Sequence, residues 1–338
     1  NVPAHGIRVH PLSSHPNESA RVPRIHVPLH RESYRIQRMQ DQQVIAELRQ
    51  IVGDDMVIDE RDELLVYESD GFPVAKSLPL AVVFPTETQQ VADCVTVLRQ
   101  AGLPIVPRGS GTGLAGGAVA FEHGVLISTS RMTRIENVDF ENRVAVVQPG
   151  VRNLFLSESI AHSGWRYSPD PSSQRASSIG GNASTNAGGI NTLKYGVTTN
   201  HILGIEIVLP DGTILRTRTG TVCDGIGPDL PGLICGSEGT FGIITRLWCR
   251  LVPQPRHVRT VYAVYHSLFD ACKTVSDVIA AGIIPTSMEM MDGGMIEAVE
   301  AAFHFGFPTE AQAMLLLEID GIEEVLDEQL EVILDIAR

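Results

Sequence analysis

Cysteine is scarce in this chain: five residues in 338, Cys94, Cys223, Cys235, Cys249 and Cys272, with no CxxC pair among them. That excludes a disulfide framework and leaves no spacing suited to zinc or an iron–sulfur cluster. The thiols read as free groups in a reducing, cytoplasmic compartment, and no metal is expected. Long apolar runs are missing as well. None approaches the roughly 18 residues that a membrane-spanning helix needs. Basic charge is short too: the formal net charge is −14, and residues 1–40 hold six Arg against two Glu, which leaves 20 basic and 38 acidic groups in the rest. An acidic body lacks the basic face that nucleic acid requires. Any anionic ligand must be held locally, by convergent backbone N–H groups.

What remains is an ordinary globular balance, 43% hydrophobic and 20% charged, long enough for two or three domains. Residues 1–40 contain Pro3, Pro11, Pro16, Pro23 and Pro28, five histidines and no hydrophobic period, so a flexible N-terminal arm is expected there. Its Arg-rich, acid-poor start suits a transit peptide, but the prolines oppose the amphipathic helix such a peptide forms. His5, His10 and His15 recur every five residues, yet metal binding needs a fixed geometry that such an arm does not supply.

From Gln42 onward the pattern becomes that of a folded α+β protein. Val44, Leu48 and Ile51 lie on one helical face, and Leu80 to Phe84 reads as a buried strand. Thr86 is then expected to cap a helix carrying Val91, Val95 and Leu98 that stops at Gly102, before a strand at Leu103 to Val106. Strands are further expected at 124–128 and 143–148, with a hairpin over 205–216 turned by Asp211-Gly212. After about Arg256 the rhythm is cleaner: strands at 260–265, 286–290 and 313–319, helices around Leu268–Ile279 and Ile296–Phe303, and a last helix after Gly321. That helix has one apolar face made of Ile322, Leu326, Leu330, Ile333 and Ala337.

Three stretches are built for close approach to main chain. Residues 107–117 read PRGSGTGLAGG, where Gly109, Gly111 and Gly113 free the backbone to turn N–H groups inward, a nest suited to pyrophosphate. The stretch satisfies GxGxxG at Gly111–Gly116 but is followed by no helical period, which argues against a Rossmann turn, and no Gly-Lys-Ser/Thr makes it a P-loop. Residues 169–189, PDPSSQRASSIGGNASTNAGG, are small and nearly uncharged, and residues 236–244, GSEGTFGII, offer backbone and flat apolar side chains to an aromatic ring system. Each taken alone is more often a surface loop.

Taken together and in order, RGSGTGLAGG at 108–117, PDPSS at 169–173, SIGGNASTNAGG at 178–189, KYG at 194–196, LPDGT at 209–213 and GSEGTFGIIT at 236–245 resemble the PCMH-type, or vanillyl-alcohol oxidase, FAD-binding fold. Within it they resemble the D-2-hydroxy-acid branch, the glycolate oxidase D subunit and D-lactate dehydrogenase. The resemblance implies a PCMH-type FAD-binding fold of two α+β subdomains over residues 41–255, followed by a partial, incomplete α+β cap domain over 256–338. It implies that Gly109, Ser110, Gly111, Thr112 and Gly113 serve the FAD pyrophosphate. Ser173, Gly180, Gly181 and Asn182 would line the central and flavin part, and Gly242 and Ile244 the adenine end or ribityl chain. Members that attach FAD covalently often use a His in the first loop, where this chain has Ser110 and Thr112, so a non-covalent cofactor is implied. The activity implied is oxidation of a small 2-hydroxy acid by hydride transfer to flavin, with an electron acceptor and other oxidase subunits as partners. The family's substrate motifs, a His-Ala-Gly-Asp-Gly-Asn-like stretch and a later Glu-His pair, do not occur here. No catalytic residue is therefore named, and an incomplete or non-catalytic flavin-binding subunit stands as the alternative. Lys194 and Tyr195 could face the pocket, but packing is the plainer role for that turn.

Overall fold

The computed structural model describes residues 31–217 and 227–338, with side chains from residue 39 onward. His5, His10, His15 and Cys223 lie outside the described residues. Two compact units are distinguished, Asn1–Asp41 and Gln42–Arg338. The first helix runs Arg31–Val52, so it starts ahead of Gln42, where the periodicity becomes visible, and it buries Ile45, Leu48 and Val52.

Within Gln42–Arg338 the first sheet has the spatial order Val57–Ile58, Ala81–Val83, Val125–Ser128, Ile105–Arg108. Its last three strands are parallel. Ala81–Val83 and Val125–Ser128 are buried at every position, which is why they read as unbroken apolar runs rather than as alternation. The helix Thr88–Gln100 joins two of the strands and buries Val91, Val95 and Leu98, spaced four and three residues apart on one face. Its N-cap is Glu87 rather than Thr86. The Gln90 side chain reaches back to accept from the Thr86 and Glu87 N–H groups at 2.8 and 3.3 Å, and Thr86 belongs to that bracket one residue earlier.

The second sheet is antiparallel, in the order Ile135–Asp139, Val144–Val147, Ile243–Arg250, Ile202–Val208, Ile214–Arg216. The hairpin turns at Asp211-Gly212, where Gly212 takes φ +86° and the Asp211 carboxylate accepts from the Thr213 N–H at 2.9 Å. Two of these strands escape the sequence pattern. Ile135–Asp139 lies at the sheet edge and is buried at no position, and Ile243–Arg250 begins inside the glycine-rich stretch at 236–244. The helix Thr88–Gln100 is tied to this second sheet through Glu206, buried on the strand Ile202–Val208, which accepts from Thr88 at 2.8 Å, Arg216 at 2.6 Å and Arg246 at 2.8 Å. Burial raises this carboxyl, but its hydrogen bonds from Arg216 and Thr88 and the charge of Arg246 outweigh burial and hold it below its usual value.

The last sheet is antiparallel, in the order His257–Tyr265, Ala313–Gly321, Ser287–Asp292. Helices Leu268–Ala280 and Glu323–Ala337 cover one face, burying Ala271, Val278, Leu326 and Ile333 against Leu315 and Leu317. Each of the buried Val, Leu and Ile side chains among these contributes about 1.5–3 kcal/mol by leaving water. The apolar face of the final helix is therefore seated. Ile322 is the exception: it precedes the helix as its N-cap and is 68% exposed.

Candidate cofactor site

The strand Ile105–Arg108 delivers the chain into the glycine loop. Of the three glycines expected to open it, Gly111 takes a left-handed backbone, φ +70°, whereas Gly109 and Gly113 do not, and Gly116 beyond them does at +76°. Gly109 is needed for proximity instead, since a Cβ there would lie 2.6 Å from the Ser178 Oγ. Arg108 braces the loop from beneath. Its guanidinium is buried, donates to the carbonyls of Ser69 and Ala118 at 2.9 Å each, and stands where a Cβ on Gly111 would be, 2.5 Å from its Nη2. Burial pulls the Arg108 pKa down, with neighbouring Asp70 acting the other way. Asp70 accepts from the Ala118 N–H at 3.3 Å and the Phe72 N–H at 2.8 Å, so both ends of the loop are fastened to residues 69–72. After Gly116 the chain makes turns and enters the strand Val125–Ser128 with no helix between, unlike a Rossmann turn.

The second stretch folds into the short helix Ile179–Thr185, capped by Ser178, whose Oγ accepts from the Gly181 N–H at 3.3 Å. Gly180 lies against Pro149, donating its N–H to the Pro149 carbonyl at 2.8 Å, and a Cβ there would overlap the proline ring. Asn182 is buried, and neither its Nδ2 nor the Ser177 Oγ has a protein partner. The third stretch docks on this helix through Gly236 N–H to the Ala183 carbonyl at 2.9 Å and Glu238 N–H to the Ser184 carbonyl at 2.8 Å. Glu238 itself is left-handed, φ +53°, and Gly239 and Gly242 are pressed on Pro107 and the Val208 carbonyl, with no room for side chains.

The three stretches enclose one cavity of about 570 Å³, a size suited to a large organic ligand. All eleven expected residues, Gly109, Ser110, Gly111, Thr112, Gly113, Ser173, Gly180, Gly181, Asn182, Gly242 and Ile244, line it. Arg108, Ser178 and Glu238, which belong to the same stretches but were not singled out, line it too, as do Asp70, Thr129 and Pro149 from outside them. The wall suits a dinucleotide: glycine and serine admit close main-chain contact, two buried polar groups lack protein partners, and the buried cation Arg108 offsets the acidity of the chain locally. Neither histidine nor cysteine belongs to the wall among the described residues. Cys94, Cys235 and Cys249 are buried and free; burial pushes Cys94 up to about 12, Cys235 up to about 11, and Cys249 upward as well. Among the described residues no group of His, Cys, Asp or Glu is placed to hold a metal, and no helix is long and apolar enough to cross a membrane.

Lys194 and Tyr195 do not line the cavity. Both bind Asp320 on the strand Ala313–Gly321, which gives them a packing role. His201 is buried with its Nε2 2.8 Å from the Tyr195 carbonyl, so that nitrogen carries the proton and donates.

Comparison with known proteins gives this arrangement a family. The FAD binding domain family matches residues 79–218, and the family of FAD linked oxidases, C-terminal domain, matches residues 254–338. The glycolate oxidase subunit GlcD of Bacillus subtilis is 41% identical over 285 residues, covering 84% of this chain and 61% of its own length. GlcD of Escherichia coli K12 is 42% identical, covering 87% and 58%, and a D-lactate dehydrogenase of Anaerostipes hadrus is 33% identical, covering 86% and 62%. The chain thus spans about three fifths of the length of these relatives. Among solved structures, an alkyldihydroxyacetonephosphate synthase superposes with a TM-score of 0.77 at 21% identity, over 88% of this chain and 59% of that one. A p-cresol methylhydroxylase superposes at 0.73 and 21%, over 88% and 64%; at such identity these two speak for the fold alone. The chain belongs to the FAD-linked oxidases of the PCMH-type, vanillyl-alcohol oxidase fold, and its cofactor is FAD.

Proposed function

We propose that this chain carries the flavin of an oxidoreductase that oxidises a small D-2-hydroxy acid of the glycolate or D-lactate type. The observation that supports it most is the convergence of all eleven expected residues on one cavity, in a chain whose relatives bear the names glycolate oxidase subunit and D-lactate dehydrogenase. In this reading residues 41–255 form the FAD-binding domain and 256–338 part of a substrate-side cap. The N–H groups of residues 109–113 hold the pyrophosphate, with Arg108 behind them supplying positive potential. Ser173, Gly180, Gly181 and Asn182 line the central and flavin part, and Gly242 and Ile244 lie against the adenine end or ribityl chain. When bound, FAD supplies the two-electron acceptor for hydride from the substrate Cα. The protein's part is to hold it without a covalent bond, because no His or Cys lies in the wall among the described residues. The free buried thiols support a cytoplasmic setting, and the word subunit in the relatives' names supports partner chains and a separate electron acceptor.

A second reading is a flavin-binding subunit whose substrate-side groups come from elsewhere. It is favoured by the chemistry of the wall, whose charged residues are Asp70, Arg108 and Glu238, with Asp70 already accepting two N–H groups. One experiment separates the two. Anaerobic addition of glycolate, D-lactate or D-2-hydroxyglutarate to the flavin-loaded chain should bleach the visible flavin bands with one of them. Bands that none of these acids bleaches would favour the second reading.

A further inference from the structure

Asp320, next to the last residue of the strand Ala313–Gly321, has a side chain only 2% exposed. Its carboxylate receives groups from two separate segments of the FAD-binding half. Lys194 bonds one oxygen, the Tyr195 hydroxyl donates to the other at 2.8 Å, and the Arg166 guanidinium lies 3.6 Å from that same oxygen. Lys194 also donates to the Asp320 carbonyl at 2.5 Å, and Arg166 stands 4.8 Å from the centre of the Tyr195 ring. Two cations and a phenol thus converge on one carboxylate where the two halves meet. Burial raises the Asp320 carboxyl, but its bonds from Lys194 and Tyr195 outweigh this and keep it ionised. The same two segments build the cavity. Arg166 stands six residues before Ser172, and Lys194 seven after Ala187, both cavity-lining. The segments are tied to each other by the Asn191 N–H, which donates to Asp170 at 3.2 Å. A buried ion pair contributes little net stability over an apolar pair of the same size, but it does fix one orientation, since each donor needs its acceptor in one place.

We infer that Asp320 is a positioning residue: its carboxylate clasps the C-terminal sheet to the segments at 166–173 and 187–195, and so holds in place the two segments that run from the clasp into the cavity wall. The inference rests on the reading that the cavity holds FAD. Without the clasp, Lys194 and Arg166 are left without their shared counter-charge, and the sheet should swing away at Pro255-Arg256, just after Pro253 and Gln254 are held by Trp165 and Gly164.

The test uses the flavin-loaded chain and its Asp320→Asn variant, which keeps the shape and removes the charge. Two readouts are taken well below the melting temperature: iodide quenching of flavin fluorescence and tryptic cleavage after the exposed Arg256. Flavin content per chain should stay within about twofold, while the quenching constant rises about threefold and cleavage after Arg256 speeds about tenfold. Tyr195→Phe removes one hydrogen bond without stranding a charge, and should shift both readouts the same way by about twofold if Asp320→Asn does not fold. Unchanged quenching and cleavage in a folded, flavin-loaded variant would overturn the clasp, as would faster cleavage at every site alike. A wild-type chain that binds no flavin would remove the cofactor reading, while the Arg256 cleavage rate would still judge the clasp.

Discussion

The two halves of the molecule are built from different materials. Between residues 42 and 255 the decisive surface is main chain: glycines pressed on Pro107, Pro149 and the Val208 carbonyl, and a nest whose one left-handed residue among 109–113 is Gly111. Between 256 and 338 it is side-chain packing, with Leu326 and Ile333 of the last helix seated on Leu315 and Leu317 of the strand beneath. The first design tolerates almost no added atoms, because the space that a Cβ would fill is already taken. The second tolerates repacking, because aliphatic side chains yield to one another. A substitution in the first half should therefore cost ligand, and one in the second should cost stability.

The largest effect is expected from Gly111→Val. A β-branched residue at φ +70° carries strain of about 1–3 kcal/mol, and its Cβ would meet the Arg108 guanidinium. Flavin retention on gel filtration should be lost while the circular dichroism stays near native. Leu326→Ala makes the opposite case. It should destabilise the C-terminal sheet by about 2–5 kcal/mol in urea unfolding, with flavin content per folded chain unchanged. Equal flavin loss in both variants would erase the distinction between the halves. Arg108→Met lies between them, because it leaves the Ser69 and Ala118 carbonyls without a donor and removes the cation behind the nest. It should cost about 1–3 kcal/mol of stability and weaken FAD binding in a titration by about tenfold, whereas unweakened binding would leave Arg108 a brace and nothing more.

The smallest effect is a dependence on pH. Burial pulls the His201 pKa below its ordinary value, helped by the nearby charges of Arg250 and Arg166 and opposed by the hydrogen bond to the Tyr195 carbonyl. In the window below about pH 6.5 the unfolded chain therefore takes up the proton first, so this contribution is fully present above that pH and declines as pH falls. The slope is at most about 1.4 kcal/mol per pH unit. His201→Gln should flatten it in melts recorded between pH 7 and 5, and an unchanged slope would place the titration elsewhere.

The comparison of halves also explains what was legible in the sequence. The glycine stretches announced the cavity because main-chain walls must be written in small residues, and all eleven expected positions face it. The elements after Arg256 were legible for a different reason, the periodic spacing of their apolar residues: alternate burial along the strand His257–Tyr265, and one apolar face on the helix Glu323–Ala337. Ile135–Asp139 stayed hidden because an edge strand with no buried position carries no apolar signal. Arg108 and Asp70 stayed hidden as well, since their partners lie 39 and 48 residues away in the chain. The Lys194–Asp320 contact spans 126 residues, and no local pattern points across such a distance.

In this reading FAD is held without a covalent bond, and the most direct measurement is the absorption spectrum of the purified chain before and after acid precipitation. Flavin bands in the native chain, with the yellow colour released into the supernatant, are the predicted result. Colour that stays in the pellet would show a covalent anchor outside the described wall, and a chain that binds no flavin even when FAD is supplied would contradict the reading of the cavity itself.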